Sequence, residues 1–192
     1  MSWSLVETPR NAEGIKKLED QIRIAADKNI LLYCAATDKA PYDDDTRLYP
    51  QDSDTKHILI VGSARENGEE SSFVNLAQVD YLFPGEGITE LDDQKGSSAA
   101  AALAAGFSAL ILWCFRKNPP HQIPSCILNP TNMHYVFESL KDSGSKWINV
   151  TKMIGLKDIK TMDEVVTYCT SVTTLRAGKQ TRGCFIGEIG SR

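Results

Sequence analysis

Between Ser98 and Phe115 the chain runs for 18 residues without a charged side chain, and no other stretch restricts the possible folds so tightly. Its first half is nearly all alanine; its second half holds Phe107, Leu110, Ile111, Leu112, Trp113 and Phe115. A membrane span would bury such a run, but alanine inserts weakly, the segment is at the short end for a bilayer, and no second apolar span accompanies it. A helix buried on every side inside a folded domain is the better account. Small residues in its first two turns let neighbouring backbone approach closely. Arg116 and Lys117 suit the negative end of the helix dipole, and Pro119-Pro120 stops its continuation.

The elements that could bury this helix lie upstream. From Asn11 to Lys28, Ala12, Ile15, Leu18, Ile22, Ala25 and Ala26 recur at three- and four-residue intervals among charges, one face of an amphipathic helix. Ile30–Ala36 and Ile58–Ala64 are continuous apolar runs without polar alternation, as expected of strands covered on both faces in a parallel sheet. A third run, Val79–Phe83, ends at Pro84-Gly85. Beyond the uncharged helix, Asn132–Asp142 predicts a short helix with Met133, Val136, Phe137 and Leu140 inward, and Thr161–Ala177 predicts another. The last 15 residues have no clear period and read as a loose tail. Strands alternating with helices predict an α/β fold with a mostly parallel sheet and flanking helices. The expected division is a main domain over 1–142 and a partly helical extension over 143–192.

Composition narrows the partners. At 192 residues, 42% of them apolar and 24% charged, a single soluble core is expected rather than disorder. Acidic residues outnumber basic ones 25 to 21 and no Lys/Arg stripe is present, which argues against nucleic acid. No membrane partner is expected. The N-terminus carries neither a basic leader nor a long apolar stretch, so a cytoplasmic location is expected. Five cysteines, odd in number and without a Cys-x-x-Cys pair, fit reduced thiols. His57, His121 and His134 have no ligand spacing relative to them. No metal and no cofactor are expected.

Gly96-Ser97-Ser98, just before the uncharged helix, has two readings. One is a helix cap, because serine caps well and glycine supplies the turn. The other is a nucleophile placed where backbone N–H groups and the helix dipole favour a developing oxyanion. Spacing alone does not choose between them. Asp38, closing the Ile30–Ala36 run, has a similar bland reading as a strand-end turn residue.

The stretch Gly96-Ser97-Ser98-Ala99-Ala100-Ala101-Ala102-Leu103-Ala104-Ala105-Gly106 resembles the Gly-Thr-Ser-x-Ala-x-Pro-x-Val-Ala-Gly block around the nucleophile of subtilisin-like serine proteases. Upstream, Ile30–Asp38 resembles the family strand ending in Ala-Ala-Gly-Asn. Ile58–Ala64 resembles the strand reading Ile-x-Val-Gly-Ala. Ser72-Phe73, Val79-Asp80 and Pro84-Gly85 resemble Ser-Phe-Ser, Val-Asp and Ala-Pro-Gly. These blocks stand in family order. The resemblance covers roughly Met1–Leu140, and its Cys-Ala-Ala-Thr-Asp and Ala-rich variants look like an intracellular fungal branch.

The resemblance implies a subtilisin-like fold and peptide-bond hydrolysis through an acyl-enzyme on Ser98. It places Asp38 at the position of an asparagine whose side-chain N–H binds the oxyanion, and an ionised carboxylate cannot donate there. Ser2, Trp3 and Ser4 look like the strand lying beside bound substrate. Ala102 replaces a proline of the pattern and Leu103 a frequent histidine. The family's Asp-Thr/Ser-Gly and His-Gly-Thr blocks do not occur in this sequence, and none of the three histidines precedes the oxyanion strand. The chain therefore reads as the C-terminal half of a catalytic domain, inactive by itself, with a peptide or protein substrate and the remaining half of the domain as partners. The alternative is a non-catalytic remnant that binds a peptide or another protein. A nucleotide- or flavin-binding α/β module lacks support: Gly85-Glu86-Gly87 is only a fragment of a phosphate loop.

Overall fold

The structure, a computed structural model, describes residues 5–8, 10–38, 47–53, 57–87, 95–117 and 130–149. In chain order the elements are β1 (Leu5–Val6), α1 (Ala12–Asp27), β2 (Leu32–Ala35), β3 (Leu48–Tyr49), β4 (Ile58–Ala64), a 3-10 turn (Leu76–Gln78), β5 (Tyr81–Pro84), α2 (Ser97–Lys117) and α3 (Pro130–Leu140). β2, β4 and β5 form a parallel sheet in that order, with Leu32 beside Ile58 and Val61 beside Tyr81. β1 and β3 pair separately as a short antiparallel ribbon.

Side chains alternate between the two faces of the sheet, and both faces are covered. Tyr33, Ala35, Leu59, Val61, Tyr81 and Phe83 pack against α2 and α3. On the other face Cys34 and Ile58 meet Ile22 of α1, while Ala36, Ala64 and Leu82 meet Val74, Val79 and Trp147. Double coverage is the reason the Ile58–Ala64 run contains no polar alternation. Cys34 is free and fully buried, and burial pushes its thiol up to about 11, so it is a neutral packing group. Gly62 is required on this face, since a Cβ there would sit 2.9 Å from both Val74 and Val79.

α1 stops where its sequence runs into Asn29, which adopts φ +56°. The Asn29 N–H donates to the Ala26 carbonyl and the Ile30 N–H to Ala25, a closure that satisfies the last carbonyls and aims the chain into β2. At the far edge of the sheet the Leu82 N–H donates to the Lys146 carbonyl (2.9 Å) and the Ile148 N–H to Leu82 (3.0 Å). Residues 146–148, which follow the expected boundary at 142, thus lie alongside β5 with Ile148 buried. The helix expected over Thr161–Ala177 and the loose tail lie outside the described residues.

The expectation that α2 is buried on every side needs correction. The sheet and α3 cover the stripe Ala100, Ala101, Ala104, Phe107, Ser108 and Ile111. On the opposite side Leu103 and Leu110 are each 40% exposed and Trp113 46%, with Ala102, Gly106 and Ala109 exposed among them. Only one layer of described structure lies against this helix. Among the described residues no helix is long and apolar enough to cross a membrane.

Candidate active site

Because β2, β4 and β5 are parallel, their carboxyl ends share one edge, where open α/β sheets bind ligands. Asp38 follows β2, Ser63 lies near the end of β4, Gly85 follows β5, and α2 starts beside all three. The Gly96 N–H donates to the Gly85 carbonyl at 2.8 Å, and Gly96 takes φ +125°, which turns the chain into the helix. Gly85 is held equally tightly, since a Cβ there would come within 2.8 Å of the Gly96 carbonyl oxygen.

The first residue of α2 faces inward. Its backbone N–H, one of the orphan donors of a helix start, donates to Asp38 Oδ2 at 2.9 Å and Oδ1 at 3.2 Å. Its hydroxyl oxygen accepts from the Ser63 N–H at 3.1 Å, and Ser63 Oγ lies 2.7 Å from Ser71 Oγ. Ser63, Ser71 and Ser97 are buried, and this interlock pins the helix start to the sheet. Ser98, about 100° further around the helix, faces out and is exposed. Among the described residues nothing hydrogen-bonds its hydroxyl.

The structure brings the predicted Ser98 and Asp38 to one place, at the positive end of the α2 dipole. There Asp38 acts as a capping acceptor on Ser97 rather than as a donor. Ser2, Trp3 and Ser4 lie outside the described residues. Two histidines sit at the opposite edge of the sheet. His57 immediately precedes β4, whose seven residues span about 20 Å. His134 Nδ1 is 2.8 Å from the hydroxyl of Tyr81, the first residue of β5. His121 lies outside the described residues. Among those residues the edge thus offers an exposed hydroxyl and a helix start, with no imidazole beside them.

Sequence reasoning missed Ser63, Ser71 and Gln51. Gln51, after β3, accepts from the Thr37 N–H through Oε1 at 3.1 Å, next to Asp38. The available signal was small polar residues at strand ends, which turns and caps share.

Two glycines of this region have opposite expected effects. A Cβ at Gly96 would overlap the Asp38 carboxylate and sit at a φ that L-residues avoid, so Gly96→Ala should cost about 1–3 kcal/mol. Gly106 is exposed in mid-helix with nothing within 4 Å of its added Cβ. Gly106→Ala should therefore stabilise by about 0.5–1 kcal/mol. Denaturant unfolding of both variants checks the pair; equal shifts of one sign would contradict the geometry at the helix start.

Comparison with known proteins bears on the family and the fold. A model of the subtilase family, peptidase S8, matches residues 1–151. Among solved structures the chain is similar to the crystal structure of a lanthipeptide protease, with a TM-score of 0.61 and 16% sequence identity. That alignment covers 88% of this chain and 60% of the other, and at such identity it shows a shared fold. A search of curated proteins returns no match.

Proposed function

The chain belongs to the subtilase family of serine proteases, and from that premise we propose that it is the nucleophile-bearing, C-terminal part of a subtilisin-like catalytic domain of the intracellular fungal branch. In the reaction Ser98 Oγ attacks the peptide carbonyl carbon while a base takes the hydroxyl proton. Collapse of the tetrahedral intermediate passes that proton to the leaving amine, and water then hydrolyses the Ser98 ester to regenerate the hydroxyl. The observation that carries this reading is the position of Ser98, exposed in the first turn of a long helix at the carboxyl edge of a parallel sheet.

The base must come from elsewhere in a complete domain, and α2 supplies a surface for it. Ser98, Ala102, Ala109 and Trp113 recur on one exposed, charge-free face of the helix. A face that apolar calls for a covering layer. The chain spans 60% of the length of the lanthipeptide protease it resembles, which leaves room for such a layer in a full-sized domain. The test is co-expression with a polypeptide carrying the Asp and His blocks of a subtilase, followed by a fluorophosphonate probe. Labelling at Ser98 that needs the added polypeptide, and disappears in Ser98→Ala, is the expected result. Binding of the added polypeptide without labelling would contradict it.

A second reading, peptide binding without hydrolysis, is favoured by Asp38. Its carboxylate on the Ser97 N–H puts negative charge where a reaction would build more.

A further inference from the structure

The turn after β4 and the segment after α3 border a groove of about 440 Å³ whose apolar lining is Leu76, Leu82 and Trp147. Leu82 and Trp147 belong to the cluster on the sheet face opposite α2, and neither Ser98 nor Asp38 lines the groove. Its walls are preformed turns. In the first, the Arg65 N–H donates to the Glu69 carbonyl at 2.9 Å and the Gly68 N–H to the Arg65 carbonyl at 3.0 Å. In the second, the Ser145 N–H donates to the Asp142 carbonyl at 3.0 Å and the Asp142 N–H to the Trp147 carbonyl at 3.3 Å. Gly68 takes φ +83°, and a Cβ there would lie 3.1 Å from Trp147 Cδ1 and Cγ, so glycine keeps that part of the indole clear. The volume is one that ligand sites commonly have.

The rim is acidic. Glu69, Glu70 and Asp142 line the groove against one cation, Lys146, whose ammonium donates to the Leu76 carbonyl at 2.7 Å and the Val79 carbonyl at 2.5 Å. An apolar floor under net negative charge is complementary to a cation with an apolar stem. Among the described residues no three acidic, histidine or cysteine side chains gather closely enough to hold a metal ion. Carboxylates spread along a rim suit a delocalised charge better than a point charge, and an indole favours a planar guanidinium. A free amino acid fits poorly, because its α-carboxylate would meet the same acidic rim while Lys146 is held by the two carbonyls.

We propose that this groove is a docking site for an arginine side chain presented by a partner polypeptide. The aliphatic stem packs on Leu76 and Leu82, and the guanidinium lies against Trp147 and donates to the rim carboxylates. Glu70, exposed at the end of the first turn, is the rim charge most open to such a partner. This docking is independent of the reaction assigned to Ser98.

The test titrates the full chain, labelled at its indole nitrogens, with the N-acetyl methylamides of arginine, lysine and citrulline. Trp147→Phe identifies the Trp147 signal among the three tryptophans. The arginine probe should shift that signal saturably and bind about threefold to fivefold more tightly than citrulline, its neutral isostere. Added salt should weaken it, and lysine, compact and strongly hydrated, should bind less tightly than arginine. Glu70→Lys should lower arginine affinity by about fivefold or more. Glu13→Lys, the same charge change on α1 at a position 83% exposed, should leave it unchanged. Citrulline or lysine binding as tightly as arginine, a Trp147 signal that does not move, or equal losses in the two charge variants would overturn the proposal. The probe series and the salt dependence use the unaltered chain, so they decide the matter even if Glu70→Lys does not fold. A failure here leaves acyl transfer at Ser98 standing, and an unlabelled Ser98 leaves this groove standing.

Discussion

Incubated by itself with a fluorophosphonate probe and a mixed peptide library, the 192-residue chain should show neither labelling of Ser98 nor cleavage above the Ser98→Ala control. A serine hydroxyl is a weak nucleophile until a positioned base accepts its proton. His57 and His134 both sit at the amino edge of the sheet, and the length of β4 separates that edge from Ser98. In a serine triad, loss of the histidine alone lowers turnover by about 2 × 10⁶-fold. On the proposed reading oxyanion stabilisation does not compensate, because Asp38 would present a carboxylate at the position of a side-chain donor, and one missing donor costs about 10²- to 10³-fold. Asp38→Asn should therefore leave the isolated chain silent, since it supplies a donor but no base. Labelling that vanishes in Ser98→Ala would mean that a base is present. His121, the histidine outside the described residues, would then be the first to replace.

Much of the framework was legible because burial on two faces leaves a plain mark in a sequence. Ile58–Ala64 reads as uninterrupted apolar residues and is β4 over those same residues, while Asn11–Lys28 reads as a helix and forms α1 at Ala12–Asp27. Met133, Val136, Phe137 and Leu140 were legible as the inward face of α3 from spacing alone, and all four are buried. The environment of α2 was not legible. An apolar composition says that a helix prefers cover; it does not say whether the cover lies within the same set of residues. For Leu103, Leu110 and Trp113 it does not.

At the site, legibility stopped at residue type. Ser98 and Asp38 could be named from their blocks, but whether the Asp38 side chain would face the helix start depended on the turn after β2. That turn carries no periodic signal. The Ser97 N–H that Asp38 accepts from is backbone, which every residue but proline offers, so no side-chain pattern announces the contact. Gln51 was silent for a related reason. Its Oε1 accepts from the Thr37 N–H, again a backbone donor that no side-chain pattern announces.

Phe137→Ala should be the most destabilising single truncation in the described core, lowering unfolding free energy by about 3–5 kcal/mol. The ring is fully buried where α3 meets both α2 and the sheet. It stands edge-on to Tyr81 at 5.1 Å, tilted to Phe83 at 5.4 Å and stacked near Phe107 at 6.2 Å. Its loss removes three aromatic contacts at once and opens a cavity that helix and strand backbones cannot easily close. Domains of ordinary size hold only about 5–15 kcal/mol in total, so this one change would consume a large part of it. For a chain of this length the melting temperature should fall by roughly 10 °C. Leu110→Ala is the counterpart on the uncovered side of α2, where a side chain 40% exposed gives up far less apolar burial. Its expected cost is below about 1 kcal/mol. Thermal and denaturant unfolding of the two variants, side by side, measures the difference. If Leu110→Ala costs as much as Phe137→Ala, the outer face of α2 is covered in solution by the chain itself, and a docking face for a further polypeptide is excluded.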